Sequence, residues 1–153
     1  MPDILRSHWL SAFTAFFGGS FLLHLLWENL HAPLYAGFTS YREHFWICFK
    51  AAGGDFLFML IIYVALAVVH RDPFWPANRL AYEHPATWII TPFVGALLAV
   101  GFELWAVYVD HRWQYAETMP LIPVLLIGLT PVLQMIVVPP LSLLFTRLAS
   151  GHG

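Results

Sequence analysis

Three acids in this chain lie where acids are expensive. Glu103 falls within the run 87–109, which has no other charged residue, and Glu28 falls within a second apolar run on the stripe that also carries His24 and His31. Asp55 interrupts a third. A carboxyl group in hydrocarbon persists where it has a partner or a task. Carboxyl and imidazole groups brought together in a low-dielectric site can exchange protons with an apolar substrate, hold a divalent ion, or bond helices to one another.

The first of these chemistries is general acid–base catalysis. A carboxyl group far from water keeps its proton more readily and can donate it. In this reading Glu103 donates, and Glu28 with His24 accepts or relays the proton. Trp27, Trp105 and neighbouring phenylalanines shield developing positive charge with their ring faces. Asp55 and Gln134 are the further polar groups expected to touch a bound molecule. Glu103 is expected to be hydrogen-bonded to His24, Gln134 or a buried water.

The second chemistry is metal binding, with His24, Glu28 and His31 as N and O ligands. Glu28 and His31 have the i, i+3 spacing of a di-iron bundle unit, but such a bundle needs two units and the chain has one. The third reading is structural: buried carboxyl groups that bond to histidine or Gln134 hold a bundle together in an accessory or assembly subunit of a larger membrane complex. A proton or solute path is a fourth, weakened because the inner half of each apolar run lacks polar residues. The residues alone leave these readings open. The 17% aromatic content suits an apolar lipid or pigment ligand, and equally suits helix packing.

The elements that must position these groups follow from composition. Of 153 residues, 59% are hydrophobic and 10% charged, with a mean hydropathy of +0.69. A soluble domain carries roughly a quarter charged residues. Four windows, 9–30, 45–69, 87–109 and 121–145, are long enough to cross ~30 Å of hydrocarbon as helices. The expected fold is an all-α integral membrane four-helix bundle forming a single domain over 1–153. A net charge of −2 offers no basic face for nucleic acid, and the single cysteine, Cys48, excludes an internal disulfide. The first window reads as a span and not a cleaved leader, being too long and lacking a small-residue cleavage site.

Four spans put both termini on one side together with Arg71 and Arg79. That side carries Arg6, Arg71, Arg79 and Arg147 against Arg42, Lys50 and Arg112 on the other, which points to cytoplasmic termini in a bacterial inner membrane. At ~1.5 Å per residue, His24 and Glu103 each lie ~9 Å below the outer surface, with Glu28 above and Asp55 deeper. Polar groups therefore converge on the outer half of the bilayer.

Helical phase agrees. His24, Glu28 and His31 lie within about 60° of one another, and Glu103 shares its face with Ala96, Ala99 and Ala106. Small residues let membrane helices approach closely. Thr130 and Gln134 mark the inward face of the last span, whose Pro123, Pro131, Pro139 and Pro140 predict bends. Lys50, about 140° around the helix from Asp55, is expected to reach for the interface. The outer loops 31–44 and 110–120 mix aromatics with charge and form a candidate cap, in which His31, His44 and His111 join Glu43, Asp110, Arg112 and Glu117. The opposite loop, 70–85, reads as a turn and surface segment.

The order WENLHAPLY, then Gly54-Asp55, then RWQYAETMP and a proline-rich last span with Gln134 resembles a family of small, uncharacterised four-span bacterial membrane proteins. That resemblance implies a fold and no reaction. His24 and Glu28 at i, i+4, with Glu103 near Trp105, are also similar to intramembrane isomerases of the emopamil-binding type, and the whole to small carotenoid cyclases and hydratases. Those likenesses imply protonation of an isoprenoid double bond by buried acids.

Overall fold

The computed structural model describes residues 2–149, with side chains from Trp9 onward. Four long helices carry the chain: α1 (Pro2–His31), α2 (Tyr41–His70), α4 (Pro85–Tyr108) and α5 (Leu129–Ala149). A five-residue helix, α3 (Arg79–Glu83), precedes α4. Each long helix is apolar and long enough to span a bilayer. Neighbour contacts run α1–α2–α4–α5 and close back onto α1, so the protein is an all-α membrane bundle. Large apolar side chains such as Leu22, Val68, Ile89 and Leu97 are more than half exposed on its outside, the surface that lipid covers.

Local signals fix the helix ends. The Ser40 hydroxyl accepts from the Glu43 amide to start α2, and Arg71 ends it in the left-handed conformation. The His84 imidazole accepts from the Ala86 amide at the start of α4, with Pro85 in the first helical position.

Two expectations need correction. The last span begins at Leu129 and not near 121, because Leu121–Ile122 (β1) and Ile127–Gly128 (β2) pair as a minimal antiparallel hairpin. Pro120 and Pro123 deny this segment helical hydrogen bonds. Pro123 therefore lies in the hairpin turn, Pro131 in the first turn of α5, and only Pro139 and Pro140 deep in the helix.

The loop after α2 is likewise more than a surface segment. Trp75 and Tyr82 fold back into the bundle, 0% and 2% exposed. The Trp75 indole donates to the Tyr63 carbonyl at 3.2 Å and the Tyr82 hydroxyl to the Pro76 carbonyl at 2.8 Å. Phe16 meets Trp75 edge-on at 5.5 Å, and Tyr63 packs 5.7 Å from it. This aromatic plug fills the end of the bundle that holds the termini, here called the inner end. Buried hydroxyls also occur in that half. Thr91, Ser142 and Thr146 each donate to a carbonyl of their own helix, so they form no continuous polar path.

Close approach of α4 and α5 depends on Gly95. A Cβ at that position would lie 2.1 Å from the Met135 carbonyl oxygen. Pro139, four residues on, has no amide hydrogen to offer that carbonyl.

Candidate functional site

Glu103 projects from α4 into the outer half of the bundle and is 3% exposed. Its partner comes from outside the helices: the Tyr115 hydroxyl donates to its carboxylate. Neither His24 nor Gln134 reaches it, contrary to the sequence expectation. Tyr115 is positioned by the two outer loops, which pair through their backbones. The Ala36 amide donates to the Gln114 carbonyl and the Ala116 amide to the Leu34 carbonyl, each at 2.9 Å, flanking a Tyr35–Tyr115 bridge.

The expected cap exists, but aromatic rings and backbone bonds build it. Tyr35 stacks against Tyr115 at 5.8 Å, Trp113 at 6.0 Å and His31 at 5.3 Å. Of the charged loop residues, Arg112 pairs with Asp110 at 2.8 Å, Glu43 accepts from Thr39, and His111 turns to the Val107 carbonyl. Glu117 is exposed.

Burial, followed by the Glu103 and Glu28 carboxylates, pushes the Tyr35 phenol well above its ordinary range. Burial, followed by the bond to Glu103, does the same for Tyr115. Both phenols are therefore neutral at any physiological pH.

A second polar group joins three helices one turn deeper. The Gln134 amide nitrogen on α5 donates to Asp55 Oδ2 on α2 at 2.8 Å and lies 2.9 Å from His24 Nδ1 on α1. His24 Nδ1 is 3.3 Å from the same Asp55 oxygen. Nearer the outer surface, His31 Nε2 is 3.2 Å from Glu28 Oε2, and His31 Nδ1 is 3.3 Å from the Thr130 hydroxyl. His24 and Glu28 share a helix face as expected, yet they serve different partners. The depth difference of one helical turn sets His24 level with Asp55 and leaves Glu28 to His31.

Glu28, Asp55 and Glu103 all line one cavity of about 660 Å³, together with His31 and Gln134. Small-molecule sites span roughly 300–1,000 Å³. Its apolar wall includes Phe58, Phe102, Trp113 and Met135. Three sequence candidates are not in the lining. His24 sits behind Asp55, fully buried, and Trp27 is not among the lining residues. Trp105 lies on the outside of α4, 38% exposed, with the Arg112 guanidinium 4.7 Å above its ring.

Of the aromatic faces that do line the cavity, Phe102 answers the expectation of phenylalanines neighbouring Trp105, whereas Phe58 and Trp113 were not foreseen. Phe102 is adjacent to Glu103, and Phe58 is three residues from Asp55 on the same helical face, so proximity in phase was the available signal. Trp113 and Tyr115 carried no such signal, because loop residues have no fixed phase.

The residues do not assemble a metal centre. Among the described residues no group of three or more His, Cys, Asp or Glu is placed to hold an ion. Of the proposed ligands His24, Glu28 and His31, the first is turned to Asp55 and Gln134, and only the Glu28–His31 pair converges. No protein family, curated protein or solved structure matches the chain.

Proposed function

We propose that the protein is an intramembrane binding site for an apolar, isoprenoid-like lipid, and that it performs acid–base chemistry on that lipid. One observation carries the reading: Glu28 and Glu103 line the same largely apolar cavity, Glu103 hydrogen-bonded by Tyr115 and Glu28 with His31 Nε2 3.2 Å away. His24, Gln134 and Asp55 fit a helix-bonding role better, since one amide bridges three helices.

The chemistry that two such groups support is migration of a double bond. Glu103, in its acid form, gives a proton to one alkene carbon, and the neighbouring carbon becomes cationic. Glu28, oriented by His31, takes a proton from the next carbon, and the π bond re-forms one position along. No oxidant, reductant or water is consumed. The faces of Phe58, Phe102 and Trp113 stabilise the cation, and return of the proton from Glu28 to Glu103 resets the site. Relative to the sequence reading, His24 moves from relay to positioning residue and His31 takes its place.

Extraction of the purified protein with organic solvent should yield an isoprenoid enriched over bulk phospholipid. That extract, returned to the protein in heavy water, should take up deuterium at allylic carbons, and Glu103→Gln or Glu28→Gln should stop the uptake. An extract with the composition of bulk membrane lipid, or full exchange by Glu103→Gln, would overturn the proposal.

The orientation belongs to the same proposal. Arg6, Arg71, Arg79 and Arg147 on the side of the termini, against Arg42, Lys50 and Arg112 on the other, favour that side as the cytoplasm of a bacterial inner membrane. In a Cys48→Ser background, cysteines at the exposed positions Thr39 and Thr118 should be labelled from outside the cell and one at Asn78 only after permeabilisation. The reverse pattern overturns the orientation.

A further inference from the structure

The cavity changes character across the width of α2. Asp55 and Lys50 both line it but are about 140° apart around the helix, at ~100° per residue. Asp55 marks the buried edge. Lys50 marks the exposed edge, in a stripe with Ile47, Gly54 and Leu57 that is open to the outside of the bundle. On that side α2 and α4 pack less closely than any other pair of neighbours around the ring. The cavity is therefore reached laterally, from the lipid.

Three basic side chains, Lys50, Arg112 and His44, border this rim. Lys50 stands within an apolar span and makes no ion pair among the described residues. An ammonium group there is costly unless it meets water or an anion. Arg112, anchored by Asp110 and stacked over Trp105, and His44, at the outer end of α2, border the same cavity. Below them the wall turns apolar at Leu57, Phe58 and Phe102.

Resting on the function proposed above, we infer that the occupant is a prenyl chain esterified to phosphate. Its head lies at the rim that carries Lys50 and Arg112, and its chain occupies the cavity that Glu28 and Glu103 line. A phosphate has enough oxygens to satisfy an ammonium and a guanidinium together, which a neutral alcohol has not. A head held at the rim also sets which double bond of the chain lies beside the two carboxyl groups.

Gly54 supplies a clean occlusion test. It lines the cavity, and a Cβ there meets nothing within 4 Å, so Gly54→Leu can start from an unobstructed Cβ and place its bulk in the cavity. Binding of farnesyl phosphate, farnesol and inorganic phosphate to the full chain in detergent would be measured by native mass spectrometry. Thermal unfolding would be followed alongside. Farnesyl phosphate should bind at least about tenfold tighter than farnesol, and Lys50→Gln and Arg112→Gln should each weaken it about tenfold, the cost of a lost charge-assisted bond. Neither change should affect farnesol. Gly54→Leu should abolish binding of both prenyl compounds at a thermal stability no lower than that of the unaltered protein.

Equal binding of farnesol and farnesyl phosphate, unaltered by Lys50→Gln, would overturn the phosphate head and leave the lipid cavity standing. Displacement of farnesyl phosphate by inorganic phosphate at matched concentration would mean the rim reads a free anion, and would overturn the prenyl ester. Failure of both prenyl compounds to bind would overturn this inference and the proposed function together.

Discussion

The hydroxyl of Tyr115, in an outer loop, donates a hydrogen bond to the carboxylate of Glu103, twelve residues earlier on α4. A loop side chain thus supplies the partner of the most buried acid in the outer half. Tyr115→Phe keeps the ring and removes only that bond. With Glu103 in its acid form the bond joins neutral groups and contributes about 0.5–1.5 kcal/mol. The variant should lose stability in that range while the Tyr35–Tyr115 backbone pairing persists, which thermal unfolding and amide exchange at Ala36 and Ala116 would detect. Unchanged stability would mean that water replaces the phenol and that the cap does not seal the site.

Gln134 is the single bridge among α1, α2 and α5. Gln134→Leu conserves approximate volume but removes one partner from Asp55 and one from His24, both largely removed from water, leaving them their 3.3 Å contact with each other. Leaving a buried polar group unpaired costs about 1–3 kcal/mol. A double-mutant cycle with Asp55→Asn should give a coupling of about 0.5–3 kcal/mol between the positions. Additive effects would show that the two side chains do not depend on one another in the bilayer.

These two groups mark what the sequence could and could not convey. Spans, phase and depth follow from apolar run length and helical period, so Glu28, Asp55, Glu103, Thr130 and Gln134 were all placed on inward faces before any coordinates. Pairing was legible only in part. His24 was expected to serve Glu28 or Glu103, and it serves Asp55, because a one-turn difference in depth is smaller than the uncertainty of a span boundary. The hairpin at 121–128 was hidden by its own hydrophobicity. Leu121, Ile122 and Leu125 to Ile127 satisfy a span window, and only Pro120 and Pro123 argued against a helix there. Tyr115 was not legible at all, since its reach to Glu103 depends on how two loops pair.

Gly95 and Gly101 lie on the same helix and should respond in opposite directions. Gly95→Ala places a methyl group 2.1 Å from the Met135 carbonyl oxygen, a backbone atom that cannot rotate away. Overpacking of this kind typically costs 1–3 kcal/mol, roughly, and the α4–α5 contact must open to relieve it. Gly101→Ala meets nothing within 4 Å and gains the helix propensity of alanine, about 1 kcal/mol. Thermal unfolding of the two variants in one detergent gives the comparison. A Gly95→Ala protein as stable as Gly101→Ala would show that the two helices are not in close contact.

The alkaline limit of stability should be set by phenols outside the spans. Tyr35, Tyr82 and Tyr115 all ionise above the ordinary tyrosine range, in each case chiefly because burial disfavours the phenolate. For Tyr35 and Tyr115 the carboxylate of Glu103 adds to the effect. A group whose folded pKa is raised contributes its stability fully below the unfolded value, about 10 for tyrosine. Above that pH the unfolded chain releases protons that the folded chain retains, so the folded state loses ground as pH rises. Unfolding temperature should therefore be flat with respect to these groups from neutrality to about pH 9 and fall beyond about pH 10. Tyr82→Phe removes one contribution without touching the candidate site, and Tyr35→Phe removes one that borders it. Both should shallow the alkaline fall, and only Tyr35→Phe should also change ligand binding. A fall of equal slope in wild type and both variants would place the alkaline transition in other groups and would mean that these phenols are open to water.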